Sequence, residues 1–288
     1  MTFRLSKLHG SGNDFLVHLS DDQATLDDPD AWSARSRRWC DRRRGIGADG
    51  LIVGVSGRAQ CDLVMVLHNA DGSRAEMSGN GIRCLAHAEA RRRGRLTGRL
   101  AIATDGGLRI VDHVLESGGD GRTLVSSVDM GPGKPGPAAN RSPQMPWLDA
   151  DPADHETAAC ALAPRRAATF DLGNPHLVLL VDDPTVVDIA LAGTGHEAAY
   201  DDGINVHVVA VTPGEHDAIT MRTWERGVGV TEACGTGAAA VALAAQEWGL
   251  AGERVTVHMP GGDVQVDVGD TLTLHGPSVH IADAEVCA

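Results

Sequence analysis

Residues 238–245 contain only Ala, Val and Leu, the longest uninterrupted apolar run in the chain. A stretch that is apolar nearly all round predicts a helix buried on every side. Cys234 stands directly before Gly235-Thr236-Gly237 at its start. The first N–H groups of such a helix have no partner within it. They favour an anion and lower the pKa of a nearby thiol. The pattern therefore predicts a carboxylate or phosphate cradle with a thiolate at its lip. The alternative is a buried free cysteine ahead of a glycine-led helix, since free Cys is so often a core residue.

The same pattern occurs earlier. Ser78-Gly79-Asn80-Gly81 leads into Ile82-Arg83-Cys84-Leu85-Ala86, a second candidate buried helix that Gly94 ends. Two further echoes lie at nearly the same offset. Gly12-Asn13 before Phe15-Leu16-Val17 resembles Gly173-Asn174 before Leu177-Val178-Leu179. Gly50-Leu51-Ile52-Val53 resembles Gly203-Ile204-Asn205-Val206. A fixed long offset means two copies of one unit. Residues 3–8, 15–19 and 62–67 read as strands, residues 27–44 carry a helical stretch, and residues 100–130 hold short strands. The glycine- and proline-rich residues 131–137 mark the crossing between copies. Residues 149–156 are acidic and loop-like. Residues 258–268 and 271–275 close the second copy as short strands. The expected fold class is α/β (α+β), with two pseudo-symmetric halves. Each is a mixed or antiparallel sheet wrapped around one central helix, and their helix N-termini face a shared cleft. The N-terminal half is residues 1–129 plus 277–288, and the C-terminal half is residues 130–276.

Composition narrows the function. A length of 288 residues suits two domains, and 42% hydrophobic residues suffice for two cores. A net charge of −14 argues against nucleic acid or an anionic membrane as partner. The start of the chain has no apolar signal-like stretch and no run approaches membrane-spanning length. The cysteines at 40, 61, 84, 160, 234 and 287 form no C-x-x-C pair, which reads as reduced thiols in a cytoplasmic protein. Gly45-Ile46-Gly47-Ala48-Asp49-Gly50 matches a dinucleotide fingerprint in letters only. Basic residues precede it and a β-rich run follows, the reverse of what that motif needs. Arg42-Arg43-Arg44 reads as a solvated face. Cys84, His87 and Glu89 lack the C-x-x-C partner of a zinc site, so no metal is assigned and Cys84 is expected in the core.

Taken together, HGSGNDF, NADGS, GNGIRC, GNPH, TWERG and ACGTG occur in this order along nearly the whole chain. In this the chain resembles the diaminopimelate epimerase family. The resemblance implies two α/β halves flanking a cleft, and no metal or pyridoxal phosphate or other cofactor. It also implies inversion of one α-carbon of LL-diaminopimelate, a diamino dicarboxylate, to the meso form for lysine and peptidoglycan, in an enzyme that pairs as a homodimer. The family's two active cysteines fall on Cys234 and on Ser78, where this chain departs from the pattern. By the same resemblance His176 and Glu225 tune protonation. Asn13, Asn69, Asn174, Asn205, Glu225 and Arg226 hold the two ends of the substrate. Gly79, Asn80, Gly235 and Thr236 offer helix N-terminal donors to its carboxylate. Each Asn taken singly also reads as a turn residue bonding its own backbone. Gly50 stands where some members carry Gln, so one side-chain contact is missing. A serine hydroxyl is much harder to ionise than a thiol. Ser78 thus leaves several readings beside an epimerase, native or engineered. These are a related cofactor-independent racemase, a one-base dehydratase acting on a hydroxy-amino acid, or an amino-acid-binding protein without the chemistry.

Overall fold

A computed structural model describes residues 2–57, 60–115, 121–142 and 164–287. It comprises two compact units, Met1–Asp129 with Leu274–Ala288, and Met130–Thr273. The acidic stretch at 149–156 lies outside the described residues.

In the first unit the chain runs through β1 (Thr2–Gly10), β2 (Asn13–Ser20), α1 (Pro29–Trp39), β3 (Gly50–Ser56), β4 (Leu63–Asn69) and β5 (Arg74–Ala75). It continues through α2 (Gly79–Arg93), β6 (Thr97–Thr104), β7 (Gly107–Leu115) and β8 (Thr123–Gly131). The final strand, β17 (Leu272–Cys287), returns to this unit. β1 and β2 are antiparallel, β2 and β3 parallel, β3 and β4 antiparallel, and β4 and β6 parallel. β6, β7 and β8 follow as antiparallel neighbours. β17 pairs with both β8 and β1, so the ladder closes on itself as a barrel. Parallel neighbours need a crossover. α1 supplies the one between β2 and β3, and α2 the one between β4 and β6. α2 is the central helix, packed by β1, β2, β3, β4, β6 and β7. Every residue from Gly79 to Ala90 is buried, and only its last turn, Arg91 to Arg93, reaches solvent. Cations there suit the helix C-terminus. Gly94 then caps it at φ 63°, a left-handed conformation that glycine adopts without strain. α1 covers the outer face, where Trp32 and Trp39 pack with Phe3, Leu16, Leu51 and Val53. β3 is therefore buried on both faces and reads as a continuous apolar run.

The second unit repeats this succession. It contains β9 (Lys134–Pro135), β10 (Arg166–Asp171), β11 (Pro175–Leu180), α3 (Ile189–Glu197), β12 (Asn205–Val211) and β13 (Ala218–Glu225). Then come β14 (Gly229–Thr231), α4 (Gly235–Glu247), β15 (Arg254–Met259) and β16 (Gly262–Val268). β10 and β11 are antiparallel, β11 and β12 parallel, β12 and β13 antiparallel. β13 and β15 are parallel, and β15 and β16 antiparallel. β10 corresponds to β1, β11 to β2, and so on through β16 and β7. α4 is wrapped by β10, β11, β12, β13, β15 and β16, as α2 is in its own barrel. Both units are thus mixed sheets around a central helix, as the internal echoes predict.

Three local outcomes differ from the sequence reading. Residues 272–275 open a sixteen-residue strand, β17, because β1 supplies a partner along its far half. Arg42 is not simply solvated: it bridges Asp14 and Asp49. Helix α3 has no counterpart in the prediction, since Gly193 and Gly195 lower its helical propensity. The reason for Gly193 is tertiary. A Cβ there would overlap the ring of Trp224 on β13, whose Nε1 donates to Glu197 Oε2 at 2.6 Å.

Gly193→Ala tests that packing. Helix propensity alone favours the substitution by about 0.5–1 kcal/mol, whereas overpacking typically costs about 1–3 kcal/mol. A net loss of stability is expected in urea unfolding. A gain would show that Trp224 does not rest on this glycine.

Candidate active site

Ser78 and Cys234 hold equivalent places in the two units. Each is the N-cap of its central helix in extended backbone, at φ −141° and −132°. Ser78 Oγ accepts the Gly81 N–H at 3.0 Å, and Cys234 Sγ accepts the Gly237 N–H at 3.3 Å. A buried helix start must place its first N–H groups on some acceptor, and one side chain three residues upstream meets part of that need. Gly79, Asn80, Gly235 and Thr236 occupy the first buried turns.

In the first unit a polar chain leads away from α2. Arg83 Nη2 donates to Asn80 Oδ1 at 2.6 Å, and Asn80 Nδ2 donates to Asn13 Oδ1 at 3.3 Å. Asn13 Nδ2 donates to Asp49 Oδ2 at 2.7 Å. Arg42 and Lys7 hold Asp14 beside it, and these cations keep its carboxyl below the usual range against the opposing effect of burial. The fold thus joins Asn13 and Asn80 directly. Asn69 sits at the end of β4 opposite Gly50, and its amide donates to Ser73 Oγ at 3.0 Å within its own turn. Arg83, Asp49 and Arg42 escaped the sequence reading. A fully buried arginine four residues into an apolar helix was the available signal.

In the second unit the sites cluster on β11, β12 and β13 and the start of α4. Thr231 Oγ1 donates to Glu225 Oε1 at 2.6 Å. Asn205 uses its amide to tie two loops: Nδ2 donates to the Pro175 carbonyl at 2.8 Å, and Oδ1 accepts the Arg226 N–H at 3.0 Å. The Arg226 guanidinium donates to the Asp202 carbonyl at 3.2 Å. His176 is fully buried between Asn174 and His207. Its Nε2 lies 2.9 Å from Asn174 Oδ1, and its Nδ1 lies 2.8 Å from His207 Nε2. Asn174 Nδ2 reaches Thr236 Oγ1 at 3.5 Å, and Thr236 Oγ1 stands 3.5 Å from Cys234 Sγ. His207 and Thr223 were missed. The alternation along β12 puts His207 on the same side as Asn205, which was the legible clue.

The electrostatics correct the expected thiolate. The Cys234 thiol is pushed well above its ordinary range, first by burial and then by the Glu225 carboxylate. Hydrogen bonds from Thr236 and the Gly237 N–H pull the other way and are outweighed. The resting group is a protonated thiol that donates to Glu225. Burial also pushes His176 well below the ordinary imidazole range and His207 down to about 3, so both rings are neutral at pH 7. Donor atoms of His176, His207 and Cys234 lie within 4.8 Å of one another. The 2.8 Å between the ring nitrogens is a hydrogen-bond distance. Two nitrogens bound to one tetrahedral zinc at about 2.0–2.1 Å would stand further apart, at about 3.3 Å. Cys84 is buried in the core with its thiol raised to about 12, and neighbouring His87 bonds Ser278 Oγ.

Two sheet-wrapped helices with matching polar caps define a fold class shared with isomerases and related proteins. The PhzF-family phenazine biosynthesis protein of Bacillus anthracis aligns over all of both chains, at 12% identity and a TM-score of 0.71. A hydroxyproline epimerase from Agrobacterium vitis aligns over 99% of this chain and 92% of its own, at 15% identity and a TM-score of 0.69. The family model described as diaminopimelate epimerase matches residues 5–134 and 168–279. The diaminopimelate epimerase of Synechococcus elongatus is 35% identical over 288 residues, covering 98% of this chain and 97% of the relative. That of Desulforudis audaxviator is 37% identical over 287 residues, covering 97% and 98%. The chain belongs to the diaminopimelate epimerase family.

Thiol alkylation checks the protonated state of Cys234. At pH 7 the exposed Cys287 and the half-buried Cys61 are expected to react before Cys234. Glu225→Gln removes the charge that raises the thiol pKa and is expected to speed labelling of Cys234. Fast labelling of Cys234 at pH 7, unchanged by Glu225→Gln, would mean that the thiolate is already formed.

Proposed function

We propose that the protein is a diaminopimelate epimerase that interconverts the LL and meso forms by proton transfer at one α-carbon, with Ser78 in place of a thiol. The observation that carries the reading is the pair of matched helix caps, Ser78 and Cys234, in a chain of this family. Inverting an α-carbon requires one group to take a proton from one face and another to supply one to the other. Cys234 is suited to either role once a substrate changes its surroundings: Glu225 accepts the thiol proton, and the Gly237 N–H and Thr236 stabilise the thiolate. The carbanion formed spreads charge onto the substrate carboxylate. The helix N-terminal N–H groups of Gly79, Asn80, Gly235 and Thr236 are the donors we assign to that charge. His176 is assigned to proton handling near the reacting carbon. Asn13, Asn69, Asn174, Asn205, Glu225 and Arg226 are assigned to the two amino-acid ends. Arg226 suits a carboxylate through its planar fork, and Glu225 an ammonium. We place the enzyme in the cytoplasm as a homodimer, in lysine and peptidoglycan precursor synthesis, with no cofactor. Among the described residues no helix is long and apolar enough to cross a membrane.

Ser78 makes the two faces unequal. Its hydroxyl can return a proton or hold a water, but it ionises far less readily than a thiol. Incubation with LL- or meso-diaminopimelate in deuterated water is therefore expected to show α-proton exchange for one stereoisomer well ahead of the other, with slow net inversion. Ser78→Cys is expected to raise inversion by about a hundredfold, the scale of one positioned acid–base group. Adding Cys234→Ser abolishes both exchange and inversion. A Ser78→Cys protein that binds the diamino diacid yet neither exchanges nor inverts it would overturn the reading in favour of a dehydratase or a binding protein.

A further inference from the structure

The buried histidine pair of the second unit has a direction. Thr223 Oγ1 lies 2.9 Å from His207 Nδ1, His207 Nε2 lies 2.8 Å from His176 Nδ1, and His176 Nε2 lies 2.9 Å from Asn174 Oδ1. Neutral imidazole carries one N–H and one bare nitrogen. The end of the chain fixes its polarity. The Asn174 carbonyl oxygen faces His176 while its amide nitrogen faces Thr236. An oxygen only accepts, so His176 Nε2 bears the proton. Its Nδ1 is then bare and must accept from His207 Nε2–H. His207 Nδ1 in turn accepts the Thr223 hydroxyl. Every ring nitrogen in the pair is satisfied in this direction. Reversal requires Asn174 to flip, which turns its amide nitrogen away from Thr236.

We propose that His207 is a positioning residue for the reaction. Through its Nε2–H it holds His176 in the Nε2–H tautomer, and through His176 it holds the Asn174 amide in register with Thr236 and Cys234. The tautomer assignment stands on this geometry; its catalytic consequence rests on the epimerase reading. His207 is held for the task from several sides. It is wholly buried on β12, and it lies opposite Thr223 in the β12–β13 ladder. The α4 backbone closes over its ring at Gly237, where any Cβ would overlap the imidazole. The two imidazole planes meet at 28°, flat enough for an in-plane N–H···N bond. The group facing them from the β13 end is the Arg226 cation, which disfavours a proton on His176, as does His207. The pair therefore stays neutral, with the proton between the rings on His207 Nε2, as the Asn174 carbonyl at one end requires and the Thr223 hydroxyl at the other accommodates. A change at His207 removes no group we assign to substrate. It releases the tautomer of one that we do.

Nitrogen-15 NMR of the full chain labelled at histidine tests this without turnover. Both His176 and His207 are expected with bare Nδ1 and protonated Nε2, unchanged between pH 8 and pH 5. His207→Leu is expected to leave His176 in a mixture of tautomers. His207→Gln, whose amide can still donate to His176, is expected to restore one. In the α-proton exchange assay His207→Leu is expected to lose about ten- to a hundredfold, the scale on which outer hydrogen-bond partners of site histidines act. A raised KM from the loosened Asn174 is expected to accompany the fall in kcat, and His207→Gln to recover most of both. If His207→Leu fails to fold, Thr223→Val keeps the shape and removes the hydroxyl, and it is expected to mix the tautomers of both rings. Protonated Nδ1 on both rings, or a His176 signal indifferent to these changes, overturns the proposal. Absence of exchange in every form, with the tautomers as stated, counts against the epimerase reading and not against the placement of His207.

Discussion

A helix buried along almost its whole length still has to satisfy the N–H groups of its first turn. This requirement governs both units. α2 and α4 lie inside their sheets, and the penalty for leaving a buried N–H unmade is about 1–3 kcal/mol. Ser78 and Cys234 each take one N–H. The demand that folding places on the helix start is the same demand that makes it receptive to a carboxylate. A structural cap and the reactive group we propose therefore coincide at one side chain in each unit.

The caps differ in chemistry while sharing geometry. A hydroxyl and a thiol both accept an N–H, so the fold tolerates either at this position. They part company in proton transfer. Cys234 is a thiol whose proton is held by burial and by Glu225, and whose conjugate base has two donors ready. Ser78 has the donor without an accessible ionisation. The asymmetry of the proposed reaction thus starts from sulfur or oxygen at matching cap positions.

The asparagines illustrate how one residue type serves two ends. Asn205 spends its amide on the Pro175 carbonyl and the Arg226 N–H, fixing the start of β11 against the turn after β13. Asn13 and Asn80 bond to one another and are anchored by Asp49 and Arg83. Asn174 continues the histidine chain toward Thr236. Buried polar networks of this kind are rigid when each member is satisfied, and rigidity at these loops is what the proposed binding of two amino-acid ends requires.

Much of this was legible in the chain itself. The offset echoes marked a duplicated unit, the all-apolar run before Gln246 marked a buried helix, and Cys234 and Ser78 before Gly-x-Gly marked where each helix starts, because these depend on local order and periodicity. The six motifs in sequence order marked the family. Other features required the folded chain. Gly193 lowers helix propensity locally, and only Trp224, distant in sequence, explains a glycine within that helix. A helix N-terminus by itself lowers a thiol pKa, but burial, reinforced by the Glu225 carboxylate on β13, reverses the sign. His207 reads as an ordinary strand residue until β11, β13 and α4 close around it. Periodicity and caps are properties of neighbours along the chain, so sequence determined them. The charge on a buried thiol and the tautomer of a buried imidazole are set by partners that meet only in space, so tertiary structure alone decided them.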